Sequence, residues 1–168
     1  MPNTSHFHVI CTLSLSSSML LAASLQLFTA SPNAWSTEAC GSDQIQAIAT
    51  EFRKIRTVAG HFNGADWHPE VDAYDGRKHQ LMQVLAERAP EEGLGGECLA
   101  LLLGEPDELT RVDTPTGASM LSQIEWENIG STSGEELLTY DWRGRHDRLV
   151  FLIRDARTLA AGWLLSYE

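Results

Sequence analysis

The apolar residues of this chain change their spacing part-way along it, and this change is the strongest constraint on the fold. Up to about residue 108 they recur at the three- and four-residue intervals of amphipathic helices. From about residue 120 they alternate with other residues, as in the strands of a sheet. Helices first and strands after are typical of α+β domains. We therefore predict helices packed on one face of an antiparallel meander sheet of three to four strands.

Three helices are predicted in the first half of the chain. The first begins at Ser42, whose hydroxyl can accept a hydrogen bond from a free N–H of the first turn. The third is apolar on all sides, which predicts a buried helix, and it ends at Gly104 and Pro106. The predicted ranges are 42–59, about 73–89 ending at Pro90, and a short helix within 98–108.

Strands are predicted in the second half, where short polar turns separate the alternating segments. Turns of this length join neighbouring antiparallel strands, so the segments should form a meander. The predicted strands are 120–128, 136–142, 148–154 and 159–167.

Residues 1–36 are predicted to be a signal peptide. They contain no Lys, Arg, Asp or Glu, and their apolar block is too short to span a bilayer comfortably. Small residues flank Trp35 in the sequence "AWS", which fits cleavage after Ser36. An uncleaved N-terminal anchor and a buried core helix are the alternatives. The remaining residues, 37–168, are predicted to form a single α+β domain, with no membrane span after signal removal.

Charge and cysteine content agree with an exported protein. The net charge of −11 argues against nucleic acid and anionic lipid surfaces as partners. Two cysteines follow the predicted signal, Cys40 and Cys98, and an even number in an oxidising compartment favours a disulfide. Two free buried thiols are the alternative.

The segment 61–79 interrupts the compact pattern and concentrates aromatic, basic and acidic side chains. Loops on a rigid scaffold commonly carry binding, so this segment is the first candidate surface. Alternatively, its Trp and the following His close an open edge of the core. The candidate binding residues in it are Trp67, His68, Asp72, Lys78 and His79.

A metal site in this segment is not predicted. His61, His68 and His79 lack the close-spaced pair, such as His-x3-His, that usually marks such sites. A small metal-dependent hydrolase built on the segment is nevertheless the alternative function. No phosphate-binding glycine loop or dinucleotide fingerprint occurs, and no cofactor is predicted.

A second candidate surface is the short charged segment "RGRHD" at 143–147, between two predicted strands. Arg143 and His146 are its candidate binding residues. His146 and Asp147 could act as a base and its orienting carboxylate, but neighbouring strand residues point to opposite faces. No nucleophile motif accompanies them, so no catalytic residue is predicted. A five-residue hairpin loop with Gly144 at positive φ and Asp147 accepting backbone N–H groups is favoured.

The stretch 101–111, "LLLGEPDELTR", carries a resemblance to a known family. A short helix ending in Leu103, Gly104, Pro106 and Asp107, followed by antiparallel strands rich in Trp and Tyr, resembles the SmpA/OmlA-type domain of small bacterial envelope lipoproteins. The wider arrangement is similar to that of the beta-lactamase inhibitor protein family. The resemblance covers roughly residues 93–154. It implies an exported binding or envelope-assembly module without an active site. We expect the partner of such a module to be an envelope or secreted protein.

Overall fold

The computed structural model of the protein describes residues 40–126 and 134–166. All of them belong to one compact unit. The predicted signal peptide, its cleavage after Ser36 and the start of the mature domain at residue 37 lie outside the described residues.

The first helix, α1, covers Asp43–Ile55 and confirms the predicted first helix, with an end four residues earlier than residue 59. The Oγ of Ser42 accepts a hydrogen bond from the N–H of Ile45, so the predicted cap forms. The carboxylate of Glu92 accepts the backbone N–H and the hydroxyl of the same serine. The apolar face of α1 is buried, and its members are Ile45, Ala49, Phe52 and Ile55.

The segment after α1 is more structured than predicted. A single turn of 3₁₀ helix covers His61–Asn63. A four-residue helix, α2, covers Pro69–Asp72, and a longer helix, α3, covers Arg77–Glu91. The predicted start of α3 at residue 73 was early, because Gly76 caps it. The predicted stop at Pro90 was also wrong. Pro90 sits in the last turn, where the loss of a single intrahelical N–H donor is tolerated.

Helix α4 covers Gly96–Leu103 and carries one half of the predicted disulfide. Cys40 and Cys98 are bonded, with their Cα atoms 5.4 Å apart, so the pairing is confirmed. The bond links the chain just before α1 to the first turn of α4. A crosslink that closes a loop of this length stabilises a fold by about 4 kcal/mol in the chain-entropy account.

The turn after α4 is held from three sides. Gly104 adopts a φ of +86°, which favours glycine, and its carbonyl accepts the hydroxyl of Tyr140. Arg56 donates to the carbonyls of Leu103 and Glu105 and pairs with Asp107 at 2.9 Å. The carboxylate of Asp107 also accepts the N–H of Asp141. The Gly-x-Pro-Asp motif is therefore a tight connection between α4 and the sheet.

Within residues 40–126 and 134–166, the sheet has five antiparallel strands in the order β1-β3-β4-β5-β2. The α+β class, the antiparallel sheet and the meander of β3, β4 and β5 are confirmed. The prediction of three to four strands was one strand short, because β1 was not recognised. The strands are β1 Glu108–Arg111, β2 Glu125–Trp126, β3 Glu136–Arg143, β4 Asp147–Arg154 and β5 Arg157–Leu165.

Part of the predicted strand 120–128 is a helix. Helix α5 covers Pro115–Gln123, and within the described residues of the predicted range only the two residues of β2 are in a strand; residues 127 and 128 lie outside the described part of the chain. Thr114 Oγ1 accepts the N–H of Gly117, and Pro115 occupies the first helical turn. This cap and proline start a helix that continues past Met120, where the strand was predicted to begin.

The two faces of the sheet are covered by different helices. Buried residues of α1, α3 and α4 form one core with Leu138, Tyr140 and Trp142 of β3 and their neighbours on β4 and β5. The intervening strand residues point to the other face, where they pack with α5. The prediction that helices occupy one face was therefore incomplete. The second core contains Met120, Ile124, Leu137, Val150, Leu152 and Ala160.

Replacement of Leu103 tests the burial of α4. The side chain of Leu103 is 1% exposed, whereas that of Leu101 in the same helix is 36% exposed. We expect Leu103→Ala to lower the free energy of unfolding by about 2–5 kcal/mol, because it leaves a cavity. Leu101→Ala is the matched control and should lower it by less than about 1 kcal/mol. Equal urea midpoints for the two variants would show that α4 is not anchored through Leu103.

Candidate functional site

The two surfaces singled out from the sequence meet in the structure. The loop between β3 and β4 packs against the 3₁₀ helix of the 61–79 segment. A Cβ added to Gly144, whose φ is +53°, would lie 2.8 Å from the carbonyl oxygen of Phe62, so glycine permits this close approach. The rings of Phe62 and His146 lie 5.1 Å apart. The 61–79 segment and the β3–β4 hairpin therefore form one composite surface.

Asp72 closes the loop that contains the exposed tryptophan of the segment. Its Oδ2 accepts the backbone N–H groups of His61 at 3.0 Å and of His68 at 2.7 Å. The carboxylate is almost fully buried. Two hydrogen bonds to one buried carboxylate hold the two ends of the loop together. Asp72 was predicted as a binding residue, and the structure places it beneath the surface as a support.

Trp142 anchors the segment to the sheet. It is the extra residue of a β-bulge, since Asp141 pairs with Arg148 and Arg143 pairs with Asp147. The extra residue of a bulge is left unpaired in the strand ladder. The carbonyl of Trp142 accepts a hydrogen bond of 2.7 Å from Lys78 Nζ, and the indole N–H donates to the carbonyl of Val71 at 2.9 Å.

Lys78 is an unusual residue for this position because its side chain is buried. Burial lowers the pKa of its amine to about 8, while Asp107 acts to raise it and Arg56 to lower it further. The lysine was predicted as a surface binding residue. The structure instead uses it to satisfy the bulged backbone of Trp142.

His79 lies flat against Trp142, with ring centroids 4.1 Å apart and an interplanar angle of 23°. Its ring is buried, and Trp163 of β5 approaches it at 5.3 Å. Its Nδ1 accepts the backbone N–H of Asp75. Burial lowers the pKa of this imidazole, although the nearby carboxylate of Asp75 acts in the opposite direction. His79 was also predicted as a binding residue, and it too lies beneath the surface.

Arg143 connects the hairpin to the loop. Its guanidinium lies over the rings of Trp142 at 4.5 Å and Phe62 at 5.2 Å. It also pairs with the buried carboxylate of Asp147, whose other oxygen accepts the N–H of Ser166. As predicted, the hairpin turns at Gly144 with a positive φ. Of the backbone N–H groups that Asp147 was predicted to accept, the structure shows that of Ser166. The carboxylate is held by these partners, and the base-and-orienter hypothesis gains no support from its contacts.

These contacts form a continuous series of side chains, which we call the ring row. Neighbouring members are 4.1–6.5 Å apart, measured between ring centroids or from a centroid to the guanidinium carbon. Both ends reach solvent, where Trp67 is 55% and Tyr74 is 70% exposed. Large exposed aromatics on a rigid support are typical of binding surfaces. In order, the ring row consists of Trp67, His61, Phe62, Arg143, Trp142, His79 and Tyr74.

Sequence reasoning identified some members of this surface and missed others. Trp67 and His146 are exposed, and His68 is half-buried at the cap of α2. Phe62 was missed, and Tyr74 fell within the predicted helix of about 73–89, although it precedes α3 and is exposed to solvent. The presence of Gly76 just after Tyr74 was the available signal that the helix begins later.

Neither a metal-ligand cluster nor a membrane-spanning helix occurs in the described ranges, 40–126 and 134–166. No group of three or more His, Cys, Asp and Glu side chains there could hold a metal ion. The metal-dependent hydrolase predicted as an alternative therefore has no ligand set in this part of the chain. None of the helices there is long and apolar enough to cross a bilayer.

No protein-family model, curated protein or solved structure matches this chain. The likeness to the SmpA/OmlA-type domain therefore remains a prediction from the sequence, and the composite surface has to be interpreted from its own geometry.

The exposed and buried tryptophans should differ sharply in their effect on stability. The double variant Trp67→Ala, His68→Ala should lower the free energy of unfolding by less than about 1 kcal/mol, as is typical of surface changes. Trp142→Ala should lower it by about 3–5 kcal/mol, because the indole is buried. Thermal and urea denaturation would measure both. A loss of 3 kcal/mol or more in the double variant would mean that Trp67 closes the core.

The buried amine of Lys78 should make stability depend on alkaline pH. The unfolded chain keeps the lysine proton to about pH 10.5, whereas the folded protein releases it near pH 8. The unfolded state binds more protons between these values, so stability should rise with pH in this window. We expect a gain of at most about 3 kcal/mol relative to Lys78→Met, which cannot titrate. Parallel stability curves for the two proteins from pH 7.5 to 9.5 would contradict this.

Proposed function

We propose that this protein is an exported, non-enzymatic binding module whose binding surface is the composite of the 61–79 segment and the β3–β4 hairpin. The observation that carries the proposal is the exposure of Trp67 and Tyr74 at the two ends of one rigid ring row. Aromatic residues and arginine are the most frequent energetic anchors of protein interfaces.

The support beneath the surface favours binding. Hydrogen bonds join Asp72 to the N–H of His61 and the indole of Trp142 to the carbonyl of Val71. The guanidinium of Arg143 lies over the ring of Phe62. A surface that is already ordered loses little conformational entropy when a partner binds. Below Tyr74, this support includes the buried ring of His79.

The titratable groups of the site already have structural partners. Lys78 Nζ is bonded to a backbone carbonyl, His79 Nδ1 to a backbone N–H, and Asp147 to Arg143. Each bond engages an atom that a catalytic lysine, histidine or carboxylate would offer to a substrate. This arrangement supports a binding surface over a reaction centre.

The proposed location is extracytoplasmic, periplasmic or secreted. The uncharged apolar N-terminal segment and the disulfide between Cys40 and Cys98 support it. The SmpA/OmlA-like sequence around Gly104 adds a bacterial envelope setting. We propose an envelope or secreted protein as the partner, and nucleic acid is disfavoured by the net charge of −11.

A quantitative pull-down from envelope and culture-medium fractions tests the proposal. The bait is the mature protein, and the test variant carries Trp67→Ser and Tyr74→Ser. The matched control carries Val58→Ser and Leu109→Ser, which also remove two exposed apolar side chains but lie outside the ring row. All three proteins should show similar melting temperatures.

We expect one partner to be retained by the wild type and the control and to bind the test variant at least about 30-fold more weakly, as for the loss of an interface hot spot. Equal retention by the test and control variants would contradict the proposed surface.

A further inference from the structure

One end of the ring row contains a hydrogen bond that depends on the protonation state of a histidine. Asp75 donates its backbone N–H to His79 Nδ1 at 3.2 Å. Asp75 has a φ of +60°, a left-handed conformation that non-glycine residues seldom adopt. The exposed ring of Tyr74, the preceding residue, lies 4.6 Å from the imidazole. The bond therefore helps to hold the turn that presents Tyr74, together with the bonds from the Gly76 N–H to the Ala73 carbonyl and from the Gln80 side-chain amide to the Asp75 carbonyl.

Only a neutral imidazole can accept this hydrogen bond. With Nδ1 as the acceptor, the ring carries its proton on Nε2. Protonation at Nδ1 converts the acceptor into a donor, so the N–H of Asp75 loses its partner. The carboxylate of the same residue lies 3.6 Å from Nδ1 and is largely exposed to solvent. The imidazolium would therefore exchange a backbone bond for an ion pair with Asp75.

Charged groups of both signs lie around His79 and act on its pKa in opposite directions. Asp75, in the turn before α3, favours the imidazolium, as does Asp147 of β4. Arg143 of β3 opposes it. Since Asp147 is already paired with Arg143, Asp75 is the carboxylate that can follow the new charge. From β3 and β5 the contacts are the uncharged rings of Trp142 and Trp163.

We propose that protonation of His79 rearranges the turn at Tyr74 and Asp75, and that acidity thereby alters the Tyr74 end of the binding surface. The control of binding rests on the proposed function, whereas the exchange of hydrogen bonds is a property of the protein alone. Burial holds the pKa of His79 below its usual range, so the rearrangement belongs to acidic conditions and the neutral turn persists at and above neutral pH.

A pH titration of the free protein by NMR tests the rearrangement without any partner. The ring signals of His79 and the amide signals of Asp75 and Tyr74 are followed together, with hydrogen-exchange protection of the Asp75 amide as a second readout. We expect one shared midpoint and a loss of protection of about tenfold or more below it. The amide of Arg56, bonded within the end of α1, should keep its position and protection.

Two asparagine variants test separately the role of the His79 imidazole and that of the Asp75 carboxylate. His79→Asn supplies an oxygen near the place of Nδ1 but cannot be protonated, so the transition should disappear. Asp75→Asn removes the carboxylate but tolerates the left-handed backbone, so the midpoint of His79 should shift to lower pH.

Three results would overturn the inference: an Asp75 amide that does not follow the His79 midpoint, an unchanged transition in His79→Asn, or unfolding of the whole chain at that midpoint. Loss of the pull-down partner would not produce any of these results, so the two proposals fail separately.

Discussion

The bulged backbone at Trp142 is the interaction on which the rest of the site depends. A bulge leaves its extra residue unpaired in the strand ladder, and an unpaired carbonyl in a core is costly unless it finds a donor. Lys78 supplies that donor from α3, while the indole of Trp142 donates to the end of α2. One strand residue thus joins two consecutive helices to the sheet, and the loop before them is held in place as a consequence.

The same arrangement accounts for the mixture of charge and aromatic rings at the surface. Because Trp142 is buried between helix and sheet, the groups that contact it must be paired there: Lys78 with a carbonyl, Arg143 with Asp147, and His79 with the N–H of Asp75. At the two ends of the ring row, Trp67 and Tyr74 remain exposed to solvent. The turn at Gly104 performs a similar fixing role elsewhere, with Arg56 and Tyr140 as its partners.

The sequence predicted well those elements whose signal is local. The cap at Ser42 with the apolar period of α1, and the alternation along β3 to β5, each lie within one short segment. Helix α5 was partly misassigned because Ile124 and Trp126 alternate like strand residues, while the cap that starts the helix lies ten residues earlier at Thr114. The edge strand β1 has four residues, too few to show a period.

Within the site, long-range geometry limited the prediction. A lysine or histidine near the start of a helix normally faces water, and nothing near Lys78 in the sequence indicates that a bulged carbonyl 64 residues away requires its amine. The contact between the 61–79 segment and the β3–β4 hairpin joins residues that lie even farther apart along the chain, such as Phe62 and Gly144. Trp67, in contrast, could be selected from its loop alone.

Hydrogen exchange of the His61 and His68 amides tests most directly whether the Trp142 bulge fixes the composite surface. Both amides are bonded to the buried carboxylate of Asp72. We expect strong protection in the wild type and a clear loss in Lys78→Met, in which the bulged carbonyl loses the lysine donor, while the amide of Arg56 at the end of α1 keeps its protection. Rapid exchange of both loop amides in the wild type, or protection that Lys78→Met leaves unchanged, would contradict this expectation.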